Sequence, residues 1–361
     1  MKHTAKTLLA SAMFLGTGAV SAQTPTLGEV LGASGVEISG YVDTSYTYSD
    51  TYSSLGRVTG RVFDTQRNSF NVNMIGLTMS KLPAEGFGGA VVLNAGSDAN
   101  VTAAAGTDSG DEFDIQQAYV AYADGAFQVQ FGKFATLIGA EVIESKDNWN
   151  FSRSILFGSA IPFTHTGVRA SYAVSDAVTL TAGVNNGWDN LVDDNASKSL
   201  EFQVAMAPAD NWFVNVQGMV GDEEANGKDE SRTIIDVVAG IDLSDSLSLL
   251  FNADFGSQDN GVAGGGDASW TGYAGYVSYK LSDKCRLTGR YEYFDDEDRF
   301  RTGTVQVWEE ATLTLAHAFS DHVEVRGEVR RDWSDAKFFA KDDGTLGKDQ
   351  TTVAVEAIFM F

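Results

Sequence analysis

The 361-residue chain carries 49 Asp and Glu against 25 Lys and Arg, for a formal net charge of −24, and contains 38 Gly, 4 Pro and 11% aromatic residues. An acid excess with no basic stripe excludes nucleic acid as a partner, because phosphate binding requires clustered cations. Abundant Gly and aromatics with little helical periodicity point to many short strands, and the single cysteine, Cys285, excludes an internal disulfide.

At the N-terminus Lys2 and Lys6 precede an apolar stretch from Leu8 to Val20 and the small-residue site Val20-Ser21-Ala22. This is the pattern of a secretory signal peptide over residues 1–22, cleaved to leave Gln23 first. No later apolar run is long enough to cross a bilayer as a helix. Residues 23–35 read as a short periplasmic segment, and 36–361 as one domain with no linker.

Period-two alternation then recurs along the chain. Val36, Ile38 and Val42 oppose Glu37, Ser39 and Asp43; Val178, Leu180, Ala182 and Val184 oppose Thr179, Thr181, Gly183 and Asn185. Phe70, Val72 and Met74 change phase with Ile75, Leu77 and Met79, which predicts a bulge. Val323, Val325, Val329 and Trp333 oppose Glu324, Arg326, Glu328 and Arg330, and the last strand ends on Phe361. The predicted strands are 36–48, 68–81, 87–96, 113–123, 126–134, 166–174, 177–185, 199–208, 211–220, 232–243, 246–256, 270–281, 285–294, 305–319, 322–333 and 350–361.

Short turns at Pro83-Ala84-Glu85-Gly86, Asp124-Gly125, Ser175-Asp176, Ala209-Asp210, Ser244-Asp245, Ser282-Asp283 and Ser320-Asp321 use residues that favour tight reversals. Longer polar connections are expected near 49–67, 97–112, 135–165, 186–198, 221–231, 257–269, 295–304 and 334–348. The acidic runs Asp222-Glu223-Glu224 and Asp295-Asp296-Glu297-Asp298 read as solvated loops, with a divalent-cation bridge to lipopolysaccharide as the alternative. About sixteen strands, with both termini at the short-turn end, define an all-β fold: a transmembrane antiparallel up-and-down β-barrel of a Gram-negative outer membrane. Tyr46, Tyr48, Tyr122, Trp188, Trp212, Tyr293, Phe319 and Trp333 lie near strand ends, as an interfacial aromatic girdle would.

A barrel of this size encloses an aqueous channel unless a domain plugs it, and 23–35 is too short for a large plug. The expected function is a porin passing small hydrophilic solutes and ions by passive diffusion. The long 135–165 loop, with Glu141, Glu144, Lys146, Asp147, Trp149, Arg153 and His165, is read as an inward pore constriction, against the alternative of an outward cap. Strand phase places Lys133, Arg169, Arg290, Arg326 and Arg330 toward the lumen with Asp43, Asp236, Asp254, Glu292, Glu310, Glu324 and Glu328. The acid excess suggests a mild cation preference.

The segments Phe131-Gly132-Lys133-Phe134, Gly139-Ala140-Glu141-Val142-Ile143-Glu144-Ser145, Asn148-Trp149-Asn150-Phe151-Ser152-Arg153-Ser154, Ile161-Pro162-Phe163-Thr164-His165-Thr166-Gly167-Val168-Arg169 and Gly183-Val184-Asn185-Asn186-Gly187-Trp188-Asp189 resemble the OmpL-like outer-membrane β-barrel porin family. The resemblance implies a porin-type channel but transfers no residue-level mechanism. Similarity of the terminal Phe361 strand to outer-membrane proteins implies recognition by the barrel-assembly machinery. Expected partners are outer-membrane lipid and lipopolysaccharide, the assembly machinery, small hydrophilic solutes and further copies in a homotrimer.

Rival readings are an outer-membrane hydrolase, a non-conducting structural or adhesion barrel, and a soluble β-solenoid or propeller. His165, His317 and His322 lack a local nucleophile pattern such as Gly-x-Ser-x-Gly, and no fixed-period repeat is present. Gly86-Phe87-Gly88-Gly89 opens a strand, so it places no phosphate at a helix N-terminus, and Lys341-Asp342-Asp343-Gly344 lacks EF-hand spacing. No cofactor, metal site or catalytic residue is predicted.

Overall fold

The structure is a computed structural model that describes residues 27–51, 56–105, 110–225 and 227–361; the expected signal peptide lies outside them. A helix, α1 (Leu27–Ser34), precedes the first strand.

Sixteen strands close into one antiparallel barrel. Fifteen follow in order: β1 (Glu37–Ser49), β2 (Ser69–Lys81), β3 (Gly86–Ala95), β4 (Phe113–Asp124), β5 (Phe127–Ala135), β6 (Thr164–Ser175), β7 (Val178–Asn185), β8 (Ser199–Ala209), β9 (Trp212–Ala225), β10 (Lys228–Asp242), β11 (Leu247–Gln258), β12 (Ala268–Ser282), β13 (Cys285–Asp296), β14 (Gln306–Ser320) and β15 (Val323–Ser334). A two-stranded hairpin, β16 (Phe339–Ala340) and β17 (Leu346–Gly347), sits in the last loop, and β18 (Asp349–Met360) completes the barrel. Strands β1 and β18 close the ring, where Gly40 and Phe361 exchange backbone hydrogen bonds of 2.9 Å. No described helix is long and apolar enough to cross a membrane, a finding that says nothing about crossing by strands.

Polarity is inverted relative to a soluble fold. Glu328, Arg330 and Asp332 of β15 point inward and are buried, whereas Phe70, Phe131 and Leu313 point outward at 88%, 66% and 53% exposure. Apolar side chains on the outside are stable only against lipid, and alternate residues then line the interior. The bulge in β2 falls where the phase changes. Asp43 pairs with Met74 and Thr44 with Val72, so Asn73 is the extra residue, and both Asn73 and Met74 turn inward.

Three expectations are corrected. The connection at 221–231 is not a long loop, because β9 and β10 extend as a paired ribbon with Asp222 opposite Ser231 and Glu223 opposite Glu230. Nor are the acidic runs simply solvated loops. Glu223 is buried and accepts the Trp188 N–H (2.8 Å), and buried Asp296 accepts the Arg301 and Thr302 N–H groups. Trp188 also leaves the proposed girdle, since it is buried edge-on against Trp270. The other girdle residues include Trp333, whose Nε1–H donates to Glu309 (2.8 Å) on the outer surface.

Glycine allows close packing at one interior position that matters below. Gly256 pairs with Trp270, and a Cβ there would collide with the indole ring. Gly256→Val should cost about 1–3 kcal/mol, read from urea unfolding of the refolded barrel in detergent. Gly275→Val, with open space around its Cβ direction, should be near neutral.

Candidate functional site

The connection from β5 to β6 runs inside the barrel. It turns at Gly139 (φ +96°), forms a 3-10 turn at Ser145–Asp147 and a wide π-type turn at Leu156–Ala160. An apolar spine drives this path: Ile138, Ile143, Phe151, Ile155, Leu156, Phe157 and Ile161 are each at most 3% exposed. All but Phe151 belong to one apolar cluster with Phe63 from the β1–β2 loop and with Trp270 and Trp308 from the barrel wall. Trp270 also donates its Nε1–H to the Ala160 carbonyl (3.0 Å).

A backbone without ladder partners must find other donors and acceptors, and inward charges of the strands supply them. Glu328 accepts the N–H groups of Phe151 (2.8 Å) and Ser152 (3.1 Å); Glu292 accepts those of Ile155 (2.9 Å) and Leu156 (3.1 Å). Arg290 donates to the Ser152 carbonyl (2.7 Å), Arg326 to Ser145 (2.9 Å) and Arg330 to Arg153 (2.7 Å). The Ser145 hydroxyl donates to Glu356, in the half of β18 nearer the C-terminus, so the segment descends past the middle of the wall. Its wall anchors lie mainly on β10 to β18, and it also reaches β4, where Gln116 Nε2 donates to Glu144 Oε1 (2.8 Å), and β1, where the Lys146 ammonium lies over the Tyr41 ring.

The residues expected at a constriction divide into two groups. Glu144, Lys146 and Asp147 remain partly or largely accessible, and Lys146 pairs with Asp147 at 2.5 Å. Glu141, Arg153 and His165 are buried. Glu141 accepts the Ser154 N–H (2.7 Å) and pairs with Arg290 (2.8 Å). Arg153 donates to the Phe151 carbonyl (3.1 Å) and lies over the Phe63 ring. His165 contacts the Gly187 carbonyl and the Thr136 hydroxyl, with no carboxylate partner.

Most inward-facing charges are paired, but among the described residues Asp43, Asp236 and Asp254 have no ion-pair partner. Arg169 forks onto Glu201 (2.8 and 2.7 Å), Glu310 takes Arg290 (2.7 Å) and Arg330 (3.5 Å), and Glu324 takes Arg326 (2.6 Å). Asp43 accepts the Asn73 amide (3.2 Å), and Asp236 and Asp254 face each other across β10 and β11. Lys133 departs from the expected lumen set. It shares the outward phase of Phe131 and forms the last pair of the β4–β5 ladder, opposite Ala118, and its ammonium enters the gap past that end to reach Asp114 (3.0 Å) and the Ile115 carbonyl (2.8 Å).

Sequence reasoning missed Glu201, Asp332 and Glu356, whose inward phase was a usable signal, and Arg61, which has none because it lies in a loop. Arg61 bridges Asp64 (2.9 Å) and Asp332 (3.0 Å). Among the described residues no group of three or more His, Cys, Asp or Glu is arranged to hold a metal ion.

Removing Glu328 strands two buried N–H groups, each charge-assisted bond being worth about 1.5–3 kcal/mol. Glu328→Ala should therefore expose Arg153 to trypsin in the folded barrel, seen as a new cleavage by mass spectrometry. Asp98, at the start of a short helix, α2 (Ala99–Thr102), is pushed by burial to about 7, against the opposing pull of Arg153. A carboxyl raised on folding stabilises below its unfolded value, and that contribution is lost as pH rises toward 7. Asp98→Asn should flatten the acid-to-neutral decline in the thermal midpoint.

The fold is that of known outer-membrane channels. The outer-membrane channel DcaP of Acinetobacter baumannii superposes with a TM-score of 0.65 at 16% identity, covering 90% of this chain and 97% of that one. An anion-selective porin from Comamonas acidovorans gives 0.62 at 15% identity over 90% and 99%. The outer-membrane-expressed OmpT of Vibrio cholerae gives 0.61 at 12% over 90% and 97%. No curated protein matches the sequence. Residues 35–361 match the family described as "Putative beta-barrel porin-2, OmpL-like", so the chain belongs to this β-barrel porin family.

Proposed function

We propose that this protein is an outer-membrane porin of a Gram-negative bacterium, passing small hydrophilic solutes and ions by passive diffusion through a water-filled lumen narrowed by residues 136–163. The observation that carries the reading is an asymmetry inside the barrel. The segment is anchored mainly along β10 to β18, while inward side chains of the other wall, including Tyr119, Gln130, Ser171, Thr179, Gln203 and Asn215, stay half-exposed. Water-accessible polar groups along one wall, facing a charged segment, have the make-up of a selective aqueous path.

In this reading Glu144, Lys146 and Asp147 set the field at the narrowing, and Glu141 and Arg153 hold the segment in place. Two acids against one base give a mild cation preference there. Export begins with cleavage of a signal peptide over residues 1–22, and the terminal strand ending at Phe361 engages the barrel-assembly machinery. The exposed apolar outer face meets lipid and lipopolysaccharide. It also offers a surface for a homotrimer, and an in-vitro folded OmpT of Vibrio cholerae is described in a trimer form.

The test is single-channel recording of the refolded protein in planar bilayers, with reversal potential under a salt gradient. Steady open steps are expected, and the double variant Glu144→Lys, Asp147→Lys should move the reversal potential toward anion selectivity. Sealed bilayers with verified folded protein would instead favour a structural barrel.

A further inference from the structure

Beneath the root of the inward segment, Asp236 of β10 and Asp254 of β11 are directly cross-strand paired, both inward and both 0% exposed. Their surroundings differ. Asp236 accepts N–H groups from Gln217 of β9, Asn252 of β11 and the Gly139 backbone of the segment. Asp254 has neither carboxyl oxygen hydrogen-bonded to a donor. The group facing it from β12 is Gly272, covered by Leu156; from β13 it is Glu292. Glu292 is occupied by the Ile155 and Leu156 N–H groups and by Arg290 (3.2 Å), and the segment's own Glu141 is likewise held by Arg290. Among the described residues no cation lies within ion-pair distance of Asp236 or Asp254.

Acids that hold the segment elsewhere have a cation: Glu292 and Glu310 share Arg290, and Glu356 lies 3.2 Å from Arg326; Asp43, which faces Glu356, keeps the Asn73 amide as a donor, which Asp254 lacks. Two adjacent carboxylates with no cation and no water access cannot both stay charged. A carboxylate offers about four acceptor sites. Three on Asp236 are taken by N–H groups, which leaves one for an O–H donor. A bound Ca²⁺ would need about six to eight oxygens, far more than these two side chains provide once Asp236 is so engaged.

We propose that Asp254 is a neutral carboxylic acid donating its proton to the Asp236 carboxylate, and that this shared proton is a latch on the inward segment. The latch reaches the segment at two successive residues. Gly139 N–H donates to Asp236, and Ala140 N–H donates to the Oδ1 of Asn252 (3.1 Å), whose amide N–H donates to Asp236. When alkali removes the proton, two buried charges confront each other where Gly139 and Ala140 are tied down, and the segment's root is released. The device is distinct from solute passage, so its test needs no conductance.

Infrared difference spectroscopy of the refolded barrel at neutral pH, wild type minus Asp254→Asn, should show loss of one protonated-carboxyl C=O band. The introduced amide keeps an N–H donor toward Asp236 but does not titrate. Trypsin cleavage at buried Arg153 should therefore rise at least about tenfold in the wild type as pH becomes alkaline, and stay flat in the variant. Identical spectra would overturn the proposal, as would a stoichiometric metal whose chelation abolishes the wild-type protection. If Asp254→Asn does not fold, the wild-type titration decides alone: absence of any protonated-carboxyl band at neutral pH sinks the latch.

Discussion

A chain that runs through the inside of a barrel without a strand beside it must satisfy each peptide group by other means, and here the means are charged side chains of the wall. Glu328 and Glu292 take consecutive N–H groups of the segment, and Arg290, Arg326 and Arg330 take its carbonyls. These five residues are what a pore-lining pattern predicts, yet each is turned from water toward backbone. Their opposite charges are then balanced locally, so the wall and the segment form one network rather than a lining with a loop laid over it.

That network explains the division of the segment's own charges. Glu141, which faces the wall, and Arg153, which ties the segment's own carbonyls together, are consumed in holding it, while Glu144, Lys146 and Asp147 keep solvent contact. Apolar packing supplies the remaining grip through Leu156, Phe157 and Ile161, and through the Trp270 ring that rests on Gly256. A flexible surface loop would carry no such spine.

The strands were legible from sequence because each records its own geometry locally. Outward lipid and inward water impose opposite residue types at every second position, and Ser-Asp pairs mark the reversals. Even the β2 bulge at Asn73 shows as a change of phase. The failures share a cause: they depend on what lies across the barrel. Polar residues 221–231 looked like a loop because the end of this ribbon is polar on both faces, its inner face bonding distant loop residues such as Trp188. Trp188 looked interfacial, but its partner is Trp270, far away in sequence. Lys133 looked inward until the end of the β4–β5 ladder opened a gap for its ammonium. In the long connection, attention to charges hid the apolar spine, although a run this apolar between two strands was itself a sign of burial.

The central claim is that the segment inside the barrel sets the size of the water path. The most direct measurement compares single-channel conductance of the wild type with that of a variant in which residues 141–160 are replaced by a short Gly-Ser linker, after both are shown to be folded barrels. The account predicts open steps in both and a several-fold larger conductance in the shortened protein. Equal conductance would contradict it.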